Sequence, residues 1–86
     1  MKQFEYTITD PLGIHARPAG MLAKTARKYG DTVVSVTKEG NTAKASQLMK
    51  IMGLCVKQGD VVVISAEGPS EDAAIEAMKE FFENNL

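Results

Sequence analysis

The chain has 86 residues, enough for one domain (residues 1–86) with a small core, and its 44% hydrophobic and 24% charged residues are those of a folded globule, not a disordered chain. A net charge of −1 excludes any general attraction for nucleic acid or anionic lipid. A single cysteine, Cys55, excludes an internal disulfide and a multi-cysteine metal site, and no apolar run approaches membrane-spanning length.

Met1-Lys2-Gln3-Phe4 carries no signal-peptide pattern and leads straight into a strand, which points to the cytoplasm. Phe4-Glu5-Tyr6-Thr7-Ile8-Thr9 alternates apolar and polar, the pattern of a half-buried first strand. Asp10-Pro11-Leu12-Gly13 predicts a turn. Residues 16 to 28 follow helical period, with Ala19, Leu22, Ala23 and Ala26 on the core face. Pro18 is tolerated in the first turn, and Gly30 is expected to stop the helix. Thr32 to Thr37 is rich in β-branched residues and predicts a second strand. A turn at Lys38-Glu39-Gly40-Asn41 leads to a short third strand near Thr42-Ala43. Ser46 is expected to cap a short helix over Gln47 to Gly53. After a turn at Gln58-Gly59-Asp60, Val61 to Ala66 is apolar almost throughout and predicts a central strand. Ser70 caps a last helix, with Ile75, Met78 and Phe82 as its buried stripe. The order β-α-β-β-α-β-α predicts an α+β two-layer sandwich, helices on one face of a mostly antiparallel sheet.

Gly13-Ile14-His15-Ala16-Arg17-Pro18-Ala19 holds the only histidine in the chain, at the point where the first helix begins. The N–H groups of Ala16 and Arg17 lack intrahelical partners there and form an anion site. The positive end of the helix dipole opposes an imidazolium and favours the neutral, nucleophilic ring. Once the ring carries a phosphoryl group, the same N–H groups and the planar donor fork of Arg17 stabilise its oxygens. Such a site suits both the empty nucleophile and the loaded anion.

This segment resembles the phosphorylation-site signature of the HPr family, the histidine-containing phosphocarriers of the bacterial phosphoenolpyruvate:sugar phosphotransferase system. The resemblance extends over the whole chain, through the element order, the Gln58-Gly59-Asp60 turn and the Ile64-Ser65-Ala66-Glu67-Gly68 run. It implies an open-faced β-sandwich: a four-stranded antiparallel sheet covered on one face by three helices. It implies that His15 is phosphorylated on Nδ1 by enzyme I, that Arg17 is its phosphate partner, and that IIA domains of sugar permeases receive the group. The family members are carriers, not enzymes, and no cofactor is implied. A monomer is expected, because the docking face must stay free.

Charge and apolar residues suggest where partners dock. His15 to Tyr29 carries Arg17, Lys24, Arg27 and Lys28 and no acid, which fits an acidic docking surface. Met21 lies among these cations, opposite the core stripe. With Leu48, Met49 and Met52 of the short helix it forms the candidate apolar patch, rimmed by Arg17, Lys24 and Arg27, while Ile51 and Leu54 are read as core. Many relatives from Gram-positive bacteria carry a regulatory serine at the start of the second helix, modified by an ATP-dependent serine kinase. Ser46 matches when counted from His15, and Gln47 falls there when counted back from Leu48-Met49. An extra residue in the Lys38–Asn41 turn would explain the shift, and a capping serine without regulation is the preferred reading. Cys55 is read as a buried small apolar group.

Two alternatives belong to the same family: a regulatory paralogue that docks a transcription factor or kinase, and a carrier of the nitrogen-related branch. The histidine counts against the first. A small hydrolase or metal protein would need a ligand cluster or nucleophile–base pair, which one histidine, one distant cysteine and scattered acids do not offer.

Overall fold

The computed structural model describes residues Met1–Leu86. Its elements are β1 (Lys2–Thr7), α1 (Ala16–Arg27), β2 (Val33–Lys38), β3 (Asn41–Lys44), α2 (Leu48–Gly53), β4 (Val61–Glu67) and α3 (Glu71–Asn85). The strands form one antiparallel sheet in the order β1-β4-β2-β3, so the apolar β4 is internal, as its composition predicts. Alternation decides which face is covered. Val62, Ile64 and Ala66 of β4 and Val34 and Val36 of β2 are buried beneath the helices. Their neighbours Ser35, Thr37, Val63 and Ser65 line a hollow of about 480 Å³ on the open face.

The helices cover the sheet through the expected residues. Ala19, Leu22, Ala23 and Ala26 of α1 are buried, joined by Pro18. Ala74, Met78, Phe81 and Phe82 of α3 are buried, with Ile75 packed against the cluster. Phe82 takes edge contacts from Phe4, Tyr6 and Phe81, with ring centroids 5.5–6.1 Å apart. The pairs with Phe4 and Tyr6 tie β1 to α3.

Four expectations need correction. Gly30 does not adopt a left-handed cap. The α1 helix ends instead through tightened bonds, Lys28 N–H to Thr25 O and Tyr29 N–H to Ala26 O. Ser46 does not cap α2: Gln47 is the N-cap, in extended conformation, and its carbonyl accepts from Ile51 N–H at 3.1 Å. The Lys38–Asn41 hairpin holds no extra residue. Lys38 pairs directly with Asn41, leaving only Glu39 and Gly40 in the loop, the common minimum for a hairpin.

The fourth correction concerns Cys55, which is exposed, with a left-handed φ of 54°. The chain must reverse after α2 to send Val56 into the core, and Cys55 is the residue that turns it. Lys38 Nζ holds this reversal, donating to the Cys55 carbonyl at 2.8 Å and pairing with Asp60 at 2.9 Å. Asp60 also accepts from Lys57 N–H at 2.8 Å. The α2–β4 connection is therefore fastened to the end of β2.

That connection in turn fixes the loop between β1 and α1. Ile14 N–H donates to Val56 O at 3.1 Å. Gly13, at φ +65°, lies against the same strand of chain: a Cβ there would run into the Val56 carbonyl oxygen and come within 2.7 Å of Lys57 Cα. Gly59 also has positive φ, +89°, but faces open space.

These contacts set two outcomes. Gly13→Ala should cost about 2–4 kcal/mol, from left-handed strain plus the main-chain collision. Gly59→Ala should cost only about 1 kcal/mol, from strain alone. Thermal melts followed by circular dichroism check the ranking, with the Gly13 variant falling by roughly 10 °C or more. The second outcome concerns acid. The hydrogen bond from Lys38, then the Lys57 N–H, hold the Asp60 carboxyl below its ordinary value. This stabilisation is present above the ordinary Asp range near pH 4 and is lost as pH falls through the lowered folded value. Asp60→Asn should thus melt below wild type at pH 7, and the gap should close in melts taken from pH 4 down to pH 2.

Candidate functional site

His15 closes the loop that begins at Asp10 and opens α1. Asp10 accepts twice within this loop, its carboxylate Oδ1 from Leu12 N–H at 2.8 Å and its carbonyl from Gly13 N–H at 2.9 Å. Ile14 is buried beside Val56 in the core cluster, which leaves His15 half-exposed at the surface. His15 is the N-cap residue, with φ −103° and ψ −176°, and its side chain makes no capping hydrogen bond. The ring is free to react because the main chain, not the ring, starts the helix: Ala19 N–H donates to His15 O at 3.0 Å.

The first turn of α1 is built for an anion. Neither Ala16 N–H nor Arg17 N–H finds an acceptor in the chain, and Pro18 has no N–H to offer. No acid stands in this turn to neutralise them. Their partial positive charge and the helix dipole face outward. Arg17 is exposed and has no ion pair or hydrogen-bond partner within the chain. His15, Arg17, Pro18 and Met21 line one hollow of about 260 Å³. The structure thus brings His15, Arg17 and Met21 together in one hollow.

Two more residues line that hollow, Asp10 and Asn85. Asp10 was read only as a turn residue, and Asn85 was not singled out. The end of α3 returns to the β1–α1 loop, where Thr9 N–H and Asp10 N–H donate to Leu86 O at 2.6 and 2.9 Å. Local sequence around residue 85 carries no sign of that return, which follows from how α3 crosses the sheet.

The apolar residues expected to meet partners are largely at the surface. Met21, Met49 and Met52 are 44%, 78% and 37% exposed, too open for core methionines. Leu48 is only partly buried, packed against the core margin, while Ile51 is fully buried. The α2 helix packs on α1, which brings the two helices carrying these residues side by side. Lys24 is exposed and unpaired. Arg27 is exposed but engaged, its Nη2 donating to Ser46 O at 2.9 Å. It clasps α1 to the start of α2. The chain holds no group of three or more His, Cys, Asp or Glu side chains arranged to bind a metal, and no helix long and apolar enough to cross a membrane.

Comparison with known proteins agrees with this geometry. Residues 2–84 match the PTS-HPr family, described as the PTS HPr component phosphorylation site. The phosphocarrier protein HPr of Mycoplasma genitalium is 36% identical over 85 residues, covering 99% of this chain and 97% of its own. The fold is similar to a histidine-containing phosphocarrier protein of Mycoplasma, with a TM-score of 0.92 and 32% identity over 96% of this chain and 93% of that one. It is also similar to HPr-C-His of Thermoanaerobacter tengcongensis, with a TM-score of 0.91 and 39% identity over 98% and 93% of the two chains. With its single histidine at the mouth of an unpaired helix start, on a four-stranded sheet of this order, the chain belongs to the HPr family of phosphotransferase-system phosphocarriers.

Proposed function

We propose that this protein carries phosphoryl groups on His15, taking them from phospho-enzyme I and passing them to IIA domains of sugar permeases. The observation that carries the reading is the pair of unpaired N–H groups at Ala16 and Arg17 beside an uncapped imidazole. In the loading step the Nδ1 lone pair attacks phosphorus. The N–P bond to His15 forms as the donor's own N–P bond breaks, and that bonding pair stays on the donor nitrogen. The Ala16 and Arg17 N–H groups and the Arg17 guanidinium receive the phosphoryl oxygens. Transfer onward is the same step reversed with a new acceptor, so the protein is a stoichiometric carrier and not a catalyst.

Fast exchange with several partners calls for a small, adaptable docking face. Met21, Leu48, Met49 and Met52 supply its apolar part, and Arg17, Lys24 and Arg27 its basic rim against an acidic partner. The whole chain acts as one carrier domain, monomeric and cytoplasmic in this reading. Ser46 is read in it as a serine without a regulatory part, one residue before the N-cap Gln47.

Incubation with enzyme I and phosphoenolpyruvate should leave an acid-labile, base-stable phosphoryl group on the wild type and none on His15→Ala. Absence of label on the wild type, with enzyme I active on another carrier, would defeat the reading. Arg17→Ala should slow loading about ten- to hundredfold, the loss of one or two charge-assisted hydrogen bonds. Arg17→Lys should recover part of that rate in rapid-quench transfer measurements, because it restores the charge but not the fork.

A further inference from the structure

One acid lines the phosphoryl-facing hollow. Asp10 shares its walls with His15 and Arg17, while the first turn of α1 carries no acid at all. The Asp10 carboxylate is not free to swing away. Its Oδ1 is held by Leu12 N–H at 2.8 Å, and its main chain is fastened at both groups, N–H to Leu86 O and carbonyl to Gly13 N–H. A negative charge is thus fixed at the rim of a site otherwise arranged to attract negative charge.

We propose that Asp10 sets how readily His15 gives its phosphoryl group away. This rests on His15 being the acceptor. The unpaired N–H groups and Arg17 lower the free energy of the loaded form, and by themselves would retain the group. The carboxylate acts against them through space, touching neither the ring nor the donor. It repels the dianionic phosphoryl group and faces no anion in the empty site, so it raises the loaded form relative to the empty one. Across a hollow of this size, with water present, one fixed charge against two shifts the loading equilibrium by about three- to tenfold. The shift is screened by salt, since the Debye length falls from about 10 Å at 0.1 M to about 3 Å at 1 M.

The distinguishing variant is Asp10→Asn, whose side-chain oxygen can still accept from Leu12 N–H while the charge is gone. Asp10→Ser keeps a hydroxyl acceptor for the same bond and serves equally if the amide variant does not fold. Each is equilibrated with enzyme I at a fixed ratio of phosphoenolpyruvate to pyruvate, and the phosphorylated fraction is read on a phosphate-affinity gel. Expected is a loading constant about three- to tenfold above wild type at 0.05 M salt, falling towards wild type at 1 M salt. A constant within twofold of wild type at low salt overturns the proposal, as does a rise that salt leaves unchanged, which would mark altered loop geometry. A wild type that takes no label fails at an earlier point: it removes His15 as acceptor and this inference with it.

Discussion

The hydrogen bond from Ile14 N–H to Val56 O, with Gly13 pressed against the same peptide, is the constraint on which the site depends. It joins two loops that have no reason to meet from their own sequences. The β1–α1 loop delivers the histidine; the α2–β4 loop supplies the wall it leans on. Because Gly13 leaves no room for a side chain, the two backbones approach closely enough to fix Ile14 in the core. His15, one residue on, is then placed at the surface without any hydrogen bond from its own ring. Reactivity and order are separated: the backbone supplies the order and the ring stays free of hydrogen bonds within the chain.

The support for that contact is itself layered. Lys38 reaches from the end of β2 to hold both Cys55 O and Asp60. On the other flank the β1 ladder continues past Thr7: Ile8 exchanges bonds with Asp60 and Gly59, and Gln58 donates to Thr9 O. The Leu86 oxygen accepts from Thr9 and Asp10. The phosphoryl-facing hollow thus has walls from three separate parts of the chain, and only one of them is the helix that gives it its positive charge.

What could be read from the sequence follows a physical division. Periodicity reports burial of regular elements, so the core faces of α1 and α3, the alternation of β1 and the central place of β4 were legible. The histidine, its arginine and Met21 were legible because they lie within two turns of one helix, where spacing alone decides which side chains gather. Misreadings fell on irregular chain. Cys55 is small and apolar by type, but it occupies a left-handed turn position whose direction is set by Lys38 and Val56. Ser46 is a better cap by type than Gln47, yet the helix begins one residue later, where Ile51 must point into the core. Gly30 looked like a left-handed stop, whereas α1 had already ended in tightened turns. Asp10 and Asn85 enter the site through long-range return of the chain, which no local pattern encodes.

The sheet order also carries a consequence for how the fold closes. β1 pairs only with β4, joining Lys2 to Ala66 and Thr7 to Val61. The β2–β3 hairpin pairs near neighbours, whereas β1 must find a partner more than fifty residues later. The loop that ends at His15 is likewise held from far along the sequence, by Val56 at Ile14 and by Leu86 at Thr9 and Asp10. Order at the histidine is thereby tied to closure of the whole fold: the helix start is local, but the loop that presents it is set by distant segments of the chain.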